Sequence, residues 1–135
     1  MKTPDAPVSF RQLKVWRSAC DLAIDIGNLC EGSALRRNRV LADQMHRASV
    51  SVPSNIAEGN DRGGDRDTVR FLVISRGSLA ELRTQLDIAL GRKLISLHEY
   101  RSYDDRCAEI GRMLSGLIKF RRERQSQVKD EKSSK

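Results

Sequence analysis

Ser51-Val52-Pro53-Ser54-Asn55-Ile56-Ala57-Glu58-Gly59 puts a proline inside an otherwise helical run and closes that run with an asparagine, a glutamate and a glycine. Upstream and through it, Leu41, Met45, Ala48, Val52 and Ile56 recur at steps of three and four, which predicts a helix from about Asn38 to Glu58. In mid-helix Pro53 has no N–H to give and crowds the carbonyl of Ser49, typically costing about 3 kcal/mol or more in an unkinked helix. A bend lowers that cost, and hydroxyls at Ser49, Ser51 or Ser54 can re-satisfy freed backbone groups. A kink is therefore expected near Ser49 to Pro53. Asn55 and Glu58 stand at i and i+3, with Asn55 beside the apolar seam. They are expected to hydrogen-bond the facing helix, at Ser78 or Arg76, and so fix its register; a ligand-binding role is the alternative.

Three more helices follow by the same rule. The first opens at Ser9, with Gln12 three residues on as a capping box, and is striped by Leu13, Trp16, Cys20, Ala23, Gly27 and Cys30 before Gly32 and Ser33 end it. After the loop Gly59 to Gly64, Asp65 or Asp67 is expected to cap a third helix with the seam Leu72, Ser75, Leu79, Leu82, Leu86 and Ala89. A turn at Gly91 to Ile95 leads to a second capping box, Ser96 and Glu99. That box opens a fourth helix striped by Tyr100, Tyr103, Cys107, Ile110, Leu114 and Leu117. Short connections between long helices make antiparallel neighbours. The expected fold is all-α, an antiparallel up-down-up-down four-helix bundle over residues 9–120, with a flexible N-terminus at 1–8. A basic tail at 121–135, where the apolar period fades, is expected to fray or be disordered.

Composition agrees. Aromatics are 4% and charged residues 32% of 135 residues, so aliphatic side chains carry the burial, as suits helices better than a sandwich or barrel. No apolar stretch reaches the roughly 20 residues that span a bilayer, and the polar N-terminus with Pro4 and Pro7 is unlike a secretory signal. A cytoplasmic protein is expected, with Cys20, Cys30 and Cys107 as buried free thiols.

The third helix is apolar on two sides. Opposite its seam, about 170° away, lies a second stripe of Val73, Gly77, Ala80, Thr84 and Ile88. Either the helix is central in its own domain or this stripe is an oligomer interface.

The sequence carries no catalytic or metal-binding motif. His46 and His98 lack a second ligand at helical spacing, the serines near His46 have no nucleophile-elbow context, and Asp61, Asp65 and Asp67 lack the spacing of a calcium loop. No cofactor is expected. Charge is more informative: the chain carries +7, and between Lys119 and Lys135 seven bases face three acids. Three basic clusters result, namely Arg36, Arg37 and Arg39; Arg62, Arg66 and Arg70; and Lys119, Arg121, Arg122 and Arg124. Such side chains bind phosphate by charge and counterion release. With so few aromatics, recognition by base stacking is not expected. A merely solvated basic surface is the alternative.

Phe10-Arg-Gln-Leu-Lys-Val-Trp16, Leu41 to Gly59, and Arg70 to Gln85 together resemble one family over nearly the whole folded chain: the four-helix-bundle proteins of intervening sequences in bacterial 23S ribosomal RNA genes. His46 stands where the family often has arginine. The resemblance implies a bundle that assembles as a homopentamer with a basic, ring-like shape. A related branch, the accessory variability determinant proteins of diversity-generating retroelements, binds nucleic acid and works with a reverse transcriptase. The resemblance implies no catalytic residues. The expected function is thus a non-enzymatic, homo-oligomeric binder of nucleic acid, RNA foremost, with a protein-interaction scaffold as the alternative.

Overall fold

The computed structural model describes residues 9–133; the flexible terminus expected at 1–8 lies outside them. A single 3-10 turn, Phe10–Gln12, precedes α1 (Lys14–Cys30), the one-turn α2 (Ser33–Arg36), α3 (Arg39–Asn60), α4 (Asp65–Gly91) and α5 (Leu97–Ser133). The described residues contain no strand. No helix among them is long and apolar enough to cross a membrane.

The four long helices form a ring of neighbours: α1 packs on α3, α3 on α4, α4 on α5, and α5 back on α1. Side-chain bonds give their directions. Along α3, Gly59 O, Val52 O and Ser51 Oγ bond Thr68, Ser75 and Ser78 of α4 in turn, so one helix runs back as the other runs forward. Between α4 and α5, Asp65 meets Arg121 and Arg83 meets Asp104, again antiparallel.

Both central seams fall where the spacing puts them. Leu41, Met45, Ala48, Val52 and Ile56 of α3, and Leu72, Ser75, Leu79, Leu82, Leu86 and Ala89 of α4, are all buried. In α5, Cys107, Ile110 and Leu114 are buried, and Ile118 joins them. The first helix corrects the sequence reading. Its core face is Val15, Ala19, Leu22 and Ile26, whereas Trp16, Cys20, Ala23, Gly27 and Cys30 form a half-buried flank. The two lines are one residue, about 100°, apart. Trp16 packs edge-on against Phe10 at 5.2 Å between ring centroids, which holds the 3-10 turn to α1.

Caps also differ from expectation at two places. Ser9 accepts from Arg11 N and so caps the 3-10 turn rather than α1. Gly64, not Asp65 or Asp67, is the N-cap of α4, and both aspartates sit in its first turn, where they favour the helix dipole. The capping box of α5 forms as read: Ser96 Oγ accepts from Glu99 N at 3.0 Å while Glu99 returns a bond to Ser96 N at 2.9 Å. α4 ends in a left-handed turn at Lys93 (φ 61°), with Leu94 N bonding Ala89 O and Lys93 N bonding Leu90 O.

α3 is one continuous helix through Pro53, so any bend at the proline has to be accommodated within an unbroken element. Hydroxyls gather around this turn: Ser49 Oγ donates to His46 O, Ser54 Oγ to Val50 O, and Ser75 Oγ reaches across from α4 to Val52 O at 2.7 Å. At Gly59 the two helices approach closely. A Cβ there would stand 2.9 Å from Phe71 Cβ and 3.2 Å from Thr68 O.

The tail is the third correction. α5 does not fray at Phe120 but continues to Ser133. Residues 121–127 are arginine, glutamate, glutamine and one serine, with no proline or glycine, and most of these are good helix formers. A fading apolar period reports the end of burial, not the end of the helix.

Candidate nucleic-acid interface

The bundle gathers the three predicted basic clusters onto two opposite ends. Arg36 closes α2, Arg37 follows it and Arg39 opens α3; all three are exposed and none makes an ion pair among the described residues. Arg92, at the end of α4, donates to Asn38 Oδ1 at 2.9 Å, and so it and the exposed Lys93 join this end. Reading along the chain missed both, because 54 residues separate the partners. The up-down topology was the signal, since it returns the close of the third helix to the start of the second. Arg36, Arg39 and His46 line a shallow groove between α1 and α3, together with Asn28 and the acids Glu31 and Asp43.

At the other end the arginines have more local work. Arg62 pairs with Glu58, and the guanidinium groups of Arg62 and Arg70 lie over the Phe71 ring at 5.0 and 4.7 Å. Arg70 also stands 3.9 Å from Asp67. Arg66 is exposed without an ion pair among the described residues, and with Arg62, Gly64 and Arg70 it lines a shallow groove. The last cluster divides. Arg121 Nη1 and Arg124 Nε bond the two oxygens of Asp65 at 2.9 and 3.1 Å, with Asp65 only 13% exposed. These two arginines, expected to meet phosphate, instead tie α5 to the first residue of α4. Lys119 and Arg122 remain exposed, with no ion pair among the described residues.

The expected polar tie between α3 and α4 exists in altered form. Asn55 Nδ2 donates to Ser51 O and Ser51 Oγ, at 2.8 and 3.0 Å. Ser51 Oγ lies 2.8 Å from Ser78 Oγ. Because the Ser78 hydroxyl donates to Ile74 O, the proton between the serines belongs to Ser51. Asn55 thus reaches α4 through Ser51. Glu58 turns away to Arg62, and Arg76 reaches α5 instead, at Ser115 Oγ. Asn55→Ala should cost about 1 kcal/mol of unfolding free energy, read as a lower urea midpoint with an unchanged slope.

Among the described residues, most of the outer stripe of α4 is left uncovered. Gly77, Ala80 and Thr84 are exposed, Ile88 is 46% exposed and Val73 half-buried. A Cβ on Gly77 would meet no atom within 4 Å. Beside the stripe, α3 and α4 form a shallow groove lined by Arg47, Ser51, Ser78, Gln85 and Ile88, where the buried Oε1 of Gln85 has no donor among the described residues.

The thiols suit packing rather than chemistry. Burial, with Asp104 nearby, pushes Cys107 up to about 12; burial, with Asp43 and Glu31, takes Cys30 to about 11; and Cys20 is raised by partial burial and Asp21. Cys107 is buried, whereas Cys20 and Cys30 are half-buried, less enclosed than the sequence reading had them. Among the described residues no histidine, cysteine and carboxylate group together as metal ligands.

Comparison with known proteins narrows the identity. No curated protein matches the chain. A crystal structure of a protein of unknown function from the S23 ribosomal protein family of Bacteroides thetaiotaomicron shares the fold. Its TM-score is 0.73 at 24% identity, covering 78% of this chain and 98% of that one. The family model described as 23S rRNA-intervening sequence protein matches residues 11–116, which are the 3-10 turn, α1 to α4 and the first half of α5. The chain therefore belongs to the family of 23S rRNA-intervening sequence proteins.

Proposed function

We propose that this chain is a non-catalytic, homo-oligomeric protein that binds nucleic acid, RNA foremost, through the basic ends of its bundle. The observation that carries the reading is the end formed by Arg36, Arg37 and Arg39, where three guanidinium groups are exposed beside Arg92 and make no ion pair among the described residues. Unpaired surface arginines attract phosphate at little desolvation cost and carry little sequence information. Arg66, Lys119 and Arg122 offer a second, sparser set at the opposite end. The family's name ties it to ribosomal RNA genes, which favours a structured RNA as the ligand.

Self-assembly is supported by the uncovered outer face of α4, whose open Gly77 lets another backbone approach. Five copies is the number that the family resemblance suggests. In a ring, each basic end repeats, and avidity makes weak single contacts effective. A reverse transcriptase is a candidate protein partner on the same resemblance.

A fluorescence-anisotropy titration with structured RNA and with duplex DNA, repeated across salt concentrations, tests the binding claim. Tight binding that weakens steeply with salt is expected. No binding at low salt would overturn it and put forward the protein-interaction scaffold, for which the same uncovered helix face is the supporting feature.

A further inference from the structure

A line of cations and hydroxyls runs along an exposed edge of α5. Arg112, Ser115, Lys119, Arg122, Ser126 and Lys129 follow at alternating steps of three and four, which stacks them along one face. All six are exposed, and none of the four cations is ion-paired among the described residues. Arg76 of α4 adds a guanidinium against the line by donating to Ser115 Oγ at 3.4 Å. Glu123 and Asp130 flank the line, each four residues on from a member of it, Lys119 and Ser126.

The line passes from the side of the bundle onto a free arm. Asp65 is the first residue of α4, and it fastens Arg121 and Arg124. Past that clasp every residue from 126 to 133 is exposed, so the arm projects about 13 Å beyond Arg124 at the rise of an α-helix. Two arginines bound to one half-buried carboxylate set the direction in which it leaves. From Arg112 to Lys129 the cations span about 26 Å on the same rise.

Cations and hydroxyls are the side chains that hydrogen-bond phosphate oxygens. A helix that docks in a protein groove would instead present an apolar face, and this line has none. We propose that this edge of α5 is a second phosphodiester-binding surface, laid along the backbone of a nucleic-acid duplex that the arm crosses. The proposal rests on the nucleic-acid reading above but names residues outside it, Arg112 and Lys129 above all.

The test is the salt dependence of anisotropy on a short duplex DNA, with the duplex RNA of the same sequence and a single strand alongside. The proteins compared are wild type, Arg112→Ala/Lys129→Ala, and Ser126→Arg. All three altered sites are exposed, so helicity by circular dichroism should not change. The double variant should lower the slope of log K against log salt by about 1.8 and Ser126→Arg should raise it by about 0.9, at roughly 0.9 per phosphate contact on duplex DNA. Loss of affinity on both duplexes supports a backbone contact. Unchanged slopes in a protein that still binds would overturn the arm while leaving the basic ends in place. Effects confined to the single strand would overturn the duplex assignment. A wild type that binds neither duplex would remove the arm and the nucleic-acid reading together.

Discussion

Gly59→Val should lower the stability of the bundle by about 2–3 kcal/mol, the upper part of the range for overpacking a tight contact. The cause is backbone proximity, not the loss of a flexible hinge. A Cβ at Gly59 would stand 2.9 Å from Phe71 Cβ and 3.2 Å from the carbonyl of Thr68, and neither can swing aside as a long side chain could. The same approach lets Thr68 Oγ1 donate to Gly59 O at 2.8 Å in a buried position. Spreading α3 from α4 to admit the valine would stretch that bond and open the seam around Leu72. Replacing glycine in a helix returns less than about 1 kcal/mol of propensity, too little to compensate. Stability should fall in the order glycine, alanine, valine, with the valine variant melting roughly 6–10 °C lower. An unchanged midpoint in thermal denaturation would show that the contact is looser than described.

Gly77→Leu should act in the opposite way: the protomer keeps its fold and the assembly is lost. Gly77 lies on the same helix pair, yet a Cβ there meets nothing within 4 Å, so the chain itself has room for leucine. Removing a glycine from a helix interior should even add up to about 1 kcal/mol to the protomer. If the outer stripe of Val73, Gly77, Ala80, Thr84 and Ile88 packs against another copy, however, an isobutyl group blocks the closest approach of the two backbones. Light scattering of the eluting protein should then give a multiple of 15.2 kDa for wild type and 15.2 kDa for the variant, at equal helicity. An assembled variant would remove this stripe from the interface.

The sequence resolved the elements whose seams are built of large aliphatics at strict three-and-four spacing. Leu79, Leu82 and Leu86 could face only one way, and they do. It misjudged α1 because that helix has a wide apolar arc. Trp16 and two cysteines drew the reading one residue round from Val15, Ala19, Leu22 and Ile26, and periodicity cannot separate two adjacent apolar lines. Helicity past Phe120 was missed because it rests on backbone propensity and the clasp on Asp65, neither of which leaves an apolar period. The candidate site was legible as composition and not as geometry. Nothing local marks Arg121 and Arg124 as ion-paired and Arg36, Arg37 and Arg39 as free; the difference is set by which acid the register brings opposite each one. For the same reason the partner of Asn55 is Ser51 on its own helix and not a residue of the facing one.

The most direct measurement is the salt dependence of duplex-DNA binding by wild type and by Arg36→Ala/Arg37→Ala/Arg39→Ala. With three unpaired guanidinium groups on phosphate, the variant should bind more weakly at every salt concentration. Its slope of log K against log salt should be flatter by about 2.7, at roughly 0.9 per contact. Equal affinity and equal slope in the two proteins would contradict the account and reduce this end of the bundle to a solvated surface.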